Sequence, residues 1–212
     1  MATDLIEINP ERPEPRAIDR AAASIRRGEV VAIPTDALYT LVCDPLNLHA
    51  VGRIFSAKGR EQDRALPLLV SDVVMAEELT KEISARFYLL ARHFWPGELT
   101  IIVHASSRVP LKVTGNTGRL AIRQSKSKVA NALLERLAQP LIATSANLSG
   151  HPTCSSGIEV FGAMDGRVDL VLDAGPATGL GATTIDITEP YWRVIKEGVI
   201  PETAIAEVLK GS

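Results

Sequence analysis

Short apolar runs, each closed by proline, glycine or a polar cluster, alternate along this chain with stretches whose apolar positions recur every three or four residues. The most sharply drawn run lies at residues 30–40, VVAIPTDALYT. Its β-branched residues predict a short buried strand. Pro34 ends the pairing, because it has no N–H to donate. Before it, residues 5–8 alternate weakly and predict an edge strand, and Pro10, Pro13 and Pro15 an extended lead-in. A helix from residue 16 carries the stripe Ile18, Ala21, Ala22 and Ile25, with Gly28 as its stop. A strand over 38–43 follows, and then Asn47 caps a helix with Val51, Ile54 and Phe55 on one face, ending near Lys58. Residues 66–70 read as a buried strand, and Ser71–Asp72 and Ser84 open two further helices. Trp95–Pro96–Gly97 reads as a structural turn. Strands at 98–104 and 119–124 flank a polar loop, 114–118, and an amphipathic helix spans 128–138. Leu141, Ile142 and Ala143 repeat the first pattern: a buried strand running into polar residues, here TSANLSG. A short helix at 158–161, strands at 169–172, 183–187 and 193–195, and a closing helix at 201–209 with proline at its start complete the order. Strands alternating with helices predict an α/β protein whose sheet is mixed, organised as a lead-in over 1–15, one domain over 16–201 and a C-terminal helix or tail over 202–212.

Composition narrows the functional classes. At 212 residues and 46% hydrophobic, the chain can bury one large core. A net charge of −2 argues against broad coating of nucleic acid, and aromatic residues, at 4%, offer few stacking platforms. Cys43 and Cys154 lack any metal-binding or redox spacing and read as small buried hydrophobes. His49, His93, His104 and His151 are scattered, so no metal site is expected from protein side chains alone. Without a long apolar run or signal pattern, a soluble, cytoplasmic protein with no membrane partner is expected.

Three stretches could carry chemistry. Lys58–Gly59–Arg60 either sits in water near a helix's negative end or clamps phosphates, lysine as a point charge and arginine as a planar fork. Thr144 to Gly150 places hydroxyls and an amide behind a strand, more polar groups than one capped turn needs. It matches neither a hydrolase elbow nor a P-loop. GPATGLG, residues 175–181, reads better as a flexible connection than as a cofactor loop, although Thr183–Thr184 beyond it could meet a ligand. Because open α/β sheets gather ligands at strand ends, Thr35–Asp36, the 144–150 stretch and the 58–60 run are expected to share one nucleotide site.

Taken together, GEVVAIPTD with Tyr39 and Leu41, KGR, Pro67–Leu68, FWPGELT, LAIR, SANLSG and a terminal EGVI resemble the YrdC/YciO family. The active members of that family are threonylcarbamoyl-AMP synthases. The resemblance implies a twisted mixed sheet flanked by helices around a concave basic cavity. It also implies that L-threonine, bicarbonate and ATP, with Mg2+, give threonylcarbamoyl-AMP and pyrophosphate for the N6-threonylcarbamoyl modification of tRNA. A TsaD-type transferase would take the product onward. By position, Lys58 and Arg60 would grip the phosphates and act electrostatically. Ser145, Asn147, Thr153 and Lys196 would contact the nucleotide, and Arg123 would pair the threonine carboxylate. Thr35, Ala37, Ala143 and Thr183 would line the amino-acid end. Ala37, Leu66, Ser71 and Lys196 depart from the usual family pattern. A YciO-like paralogue acting on another amine and an RNA-binding module are the competing readings.

Overall fold

The computed structural model describes residues 2–61, 63–177 and 179–210. Among the described residues ten strands form one mixed sheet: β1 (Asp4–Glu7), β2 (Val31–Ile33), β3 (Thr40–Cys43), β4 (Leu68–Leu69), β5 (Leu99–His104), β6 (Arg119–Arg123), β7 (Leu141–Ser145), β8 (Leu170–Asp173), β9 (Thr183–Asp186) and β10 (Arg193–Lys196). Their order across the sheet is β1-β8-β2-β3-β7-β4-β6-β5-β9-β10. β8 runs parallel to both β1 and β2, β4 to β6, and β5 to β9, while the other neighbours are antiparallel. The helices of the described residues flank it: α1 (Pro15–Arg26), α2 (Leu48–Lys58), α3 (Val73–Leu79), α4 (Ala85–Phe94), α5 (Lys128–Leu137), α6 (Gly157–Met164) and α7 (Glu202–Val208).

Period-2 alternation divides the sheet's side chains between two cores. Ala32, Leu41, Ile101, Ile122, Ile142 and Ile185 join the larger core, with residues of α2, α3, α4, α6 and α7. Val31, Ile33, Val42, Leu141 and Leu170 point the other way, into a core built with α1 and α5. These two helices cover only part of their face. Toward β6, β5 and β9 the same face carries Ala121, Arg123, Thr100 and Thr184, and there it lines a cavity instead of a core.

The caps are those the sequence specifies. The Asn47 side chain accepts from His49 N and Ala50 N, Asp72 from Met75 N, and Ser84 from Phe87 N. Gly59 ends α2 at φ 60°, a left-handed position that glycine takes without strain.

Several boundaries move for identifiable reasons. The strand expected over 66–70 shrinks to Leu68–Leu69. Pro67 has no N–H, Leu66 N bonds Val113 O at 2.8 Å, and so the ladder starts late. The strand expected from residue 38 begins at Thr40, because the Thr35 hydroxyl holds Leu38 O at 2.6 Å in a turn. The short helix at 158–161 extends to Gly157–Met164, capped by Ser156. The glycine-rich connection is not slack. Gly179 crosses the β2–β3 turn so closely that a Cβ there would lie 2.2 Å from Ala37 O. Thr178 of that stretch, and residues 211–212 of the tail, lie outside the described residues.

Candidate active site

β2 and β7 lie either side of β3, which runs antiparallel to both, so their carboxyl ends come together at the start of β3. Thr40 pairs with both Ile33 and Ser145. The two polar strand ends that look alike in the sequence are therefore neighbours in space. Between them and the bare part of the sheet lies a cavity of about 400 Å3. The β2–β3 turn (Thr35, Ala37), Arg60, Pro67, the β7 end (Ala143, Thr144, Ser145) and Thr153 line it, as do Thr100, Ala121, Arg123, Ala182, Thr184 and Lys196. No carboxylate is among its described lining residues. A second hollow lined by Lys58, Arg60, Glu61, Arg64, Asn147 and Ser149 shares Arg60 and Ser145 with it.

The cations differ in how they are held. Arg60 bonds Thr144 Oγ1 at 3.4 Å and Ala65 O at 3.2 Å, and no described carboxylate pairs with it. Lys58 is buried. Its ammonium donates to the Ser145 carbonyl, to Asn147 O at 3.0 Å and to Asn147 Oδ1 at 3.1 Å, with Ser145 Oγ at 3.3 Å. Burial, followed by the charge of Arg60, pushes its pKa down to about 8. Lys58 thus fixes the 145–147 loop from beneath and leaves a buried charge without a counter-ion. Asn147 is equally committed. Its Oδ1 accepts from Ser145 Oγ at 2.5 Å, and its Nδ2 donates to Leu148 O and His151 O. Lys58 and Asn147 line the second hollow, not the first cavity.

At the other end, Arg123 is buried and already partnered. Its Nη2 lies 2.6 Å from Asp36 Oδ1, and its Nε donates to Gly97 O at 2.8 Å. The Trp95–Pro96–Gly97 turn, expected to be structural, therefore also orients this arginine. Asp36 in turn accepts from Ser125 Oγ. The Thr35 hydroxyl serves its own turn, and Ala143 N donates to Pro67 O.

Thr183 is a correction. It is fully buried, outside the cavity, and its Oγ1 donates to Ile200 O at 2.7 Å while accepting from Gly198 N and Ile200 N. Strand alternation turns it inward and presents Ala182 and Thr184, on either side, to the cavity. The same alternation exposes Thr100 and Ala121, which composition and motif spacing did not single out. The signal was present in LTIIVH and RLAIR as the small or polar positions between buried aliphatics.

Among the described residues no cluster of three or more His, Cys, Asp or Glu could hold a metal ion, and no helix is long and apolar enough to cross a membrane.

The architecture defines a mixed α/β protein with a cavity at converging strand ends, lined by cations and hydroxyls. Comparison with known proteins then gives its family. Residues 23–198 match the sequence profile of Sua5, YciO and YrdC proteins, described as "Telomere recombination", and the chain belongs to that family. It is 36% identical over 200 residues to the threonylcarbamoyl-AMP synthase of Pyrococcus abyssi, spanning 94% of this chain and 59% of that protein. A structure of P. abyssi Sua5 complexed with L-threonine superposes with a TM-score of 0.94 at 36% identity, covering 98% of this chain and 61% of the other. E. coli YciO superposes at 0.88 with 27% identity, covering 96% and 99%. The chain thus spans about three fifths of the P. abyssi protein.

Proposed function

We propose that this chain is an L-threonylcarbamoyladenylate synthase, a nucleotidyltransferase that joins L-threonine, bicarbonate and ATP. The observation that carries the reading is one cavity lined by both Arg60, which has no described carboxylate within salt-bridge distance, and the oriented Arg123. The family membership, the name of the P. abyssi relative and the threonine bound to its Sua5 support it.

In this reading the threonine amine first takes up bicarbonate to give a carbamate and water. A carbamate oxygen then attacks the α-phosphorus of ATP, and the bond to pyrophosphate breaks. The step requires no covalent residue. Positioning and fixed charge do the catalysis. Arg60 and Lys58 stabilise charge gathering on pyrophosphate. Ser145, Thr153 and Lys196 contact the nucleotide, and Asn147 holds the loop that carries Ser145. Arg123 faces the amino-acid carboxylate beside Thr35, Ala37 and Ala143. Mg2+ would enter with ATP as part of the substrate and would offset charge on the phosphates. The product is a mixed anhydride, which a TsaD-type transferase acting on tRNA would consume.

The test is mass detection of threonylcarbamoyl-AMP from purified protein, MgATP, bicarbonate and L-threonine. Arg60→Ala removes one charge-assisted contact, about 1.5–3 kcal/mol, so nucleotide affinity should fall by roughly 10- to 100-fold. Unchanged affinity would detach Arg60 from the phosphates.

A further inference from the structure

On the sheet face that α1 and α5 leave bare, one row of side chains crosses four strands. Leu69 on β4 pairs with Arg123 on β6. The β5–β6 register, continued one residue beyond the Ile101–Ile122 pair, sets Thr100 beside Arg123. Thr100 pairs in turn with Thr184 on β9. All four residues line the cavity. With strands about 4.8 Å apart, the row from Arg123 through Thr100 to Thr184 spans roughly 10 Å, within reach of one small amino acid.

The threonine hydroxyls at and beside this stretch of β5 and β9 are not equivalent, and some, like that of Thr153 on the lining, bond to no described residue. Those of Thr35 and Thr183 are used up by the fold, one in a turn and one on the 198–200 segment. Those of Thr100 and Thr184 bond to no described residue. Thr100 is nevertheless only 8% exposed. Threonine suits a strand for its branching alone, and valine would serve that purpose as well. Neither hydroxyl oxygen is sealed in the core: both residues line the cavity, and what enters it, water or a bound molecule, satisfies them.

We propose that Thr100 and Thr184 are specificity-determining residues that read a hydroxyl on the amino-acid substrate. The site then takes a β-hydroxy amino acid in preference to an isostere lacking the hydroxyl. This rests on the reading that the cavity holds an amino acid with its carboxylate toward Arg123. A site built to bond a substrate hydroxyl rejects the analogue without it, because its own polar groups are left unpaired.

The test compares L-threonine with L-valine, its near-isostere, in two measurements on the full chain. One is kcat/KM for pyrophosphate release with MgATP and bicarbonate. The other is calorimetric affinity for each amino acid with a non-hydrolysable MgATP analogue bound. Thr100→Val and Thr184→Val keep the branched shape of the strand residue, and the pair together should lower the threonine-to-valine ratio by roughly 10- to 100-fold in both measurements. The ATP KM should stay unchanged, and Thr100→Ser with Thr184→Ser should restore the ratio. An unchanged ratio in a folded, active double valine variant would overturn the assignment. If the wild type releases no pyrophosphate and binds neither amino acid, the amino-acid reading itself fails, and this assignment fails with it.

Discussion

Lys58 allows nucleotide binding to be followed through protons. Lys58 is 3% exposed, and its ammonium is surrounded by oxygens of Ser145 and Asn147 and paired with no described carboxylate. Burial is the main cause that lowers its pKa from 10.5 to about 8, with Arg60 adding to it and Cys154 opposing. A shift of that size is a bias of roughly 3 kcal/mol against the charged form. A phosphate arriving over the 145–147 loop supplies the missing counter-charge and draws the pKa back up. At pH 8 about half of the free molecules carry a neutral Lys58, so binding should take up about half a proton, falling to about a tenth at pH 7.

Calorimetry of a non-hydrolysable MgATP analogue, in buffers of different ionisation enthalpy, reads this number as a slope. The slope should vanish in Lys58→Met. Normal binding without proton uptake at pH 8, or the same uptake in Lys58→Met, would refute the reasoning. Stability carries the complementary sign. The folded pKa is depressed, so the unfolded chain holds more protons between about pH 8 and 10.5. The penalty from Lys58 is complete below that window and is relieved as pH rises through it. A wild-type urea midpoint that gains on Lys58→Met over this range is the expected result.

Two further perturbations probe the supports of the cavity. Thr183→Val keeps the shape of a fully buried residue but strands Gly198 N, Ile200 N and Ile200 O, and should cost about 2–4 kcal/mol in urea unfolding; an unaltered midpoint would mean that the 198–200 segment is held by other contacts. Asp36→Ala leaves the Arg123 charge buried and unpaired, for about 3–5 kcal/mol, whereas adding Arg123→Met should recover most of the loss, and a double-mutant cycle showing simple additivity would rule out coupling between the two.

Order and type of the elements were legible because each signal is local. Asn47, Asp72 and Ser84 cap where a short polar side chain precedes an apolar stripe, and Pro34 and Pro67 mark ladder ends because neither has an N–H. The convergence of Arg60 with Ser145 depends on β3 lying between β2 and β7, a fact about pairing partners that no local pattern carries. Motif likeness brought these residues together without that knowledge. The same likeness could not foresee that Lys58 and Asn147 are consumed by each other, or that Asp36 already holds Arg123.

Thr183 and Thr184 show where motif reasoning and strand physics part. A motif treats neighbouring threonines as nearly interchangeable, but in a strand a one-residue step moves a side chain to the opposite face. In β9 the register is fixed by Ile185, which must enter the larger core, and by pairing with β5. Thr183 therefore shares the buried side with Ile185 and becomes an anchor for the 198–200 segment, while Ala182 and Thr184 receive the cavity. The periodicity that places Ile185 inside thus decides which threonine faces the cavity, and the hydroxyl of Thr184 opens on it while Thr183 takes up the structural bonds.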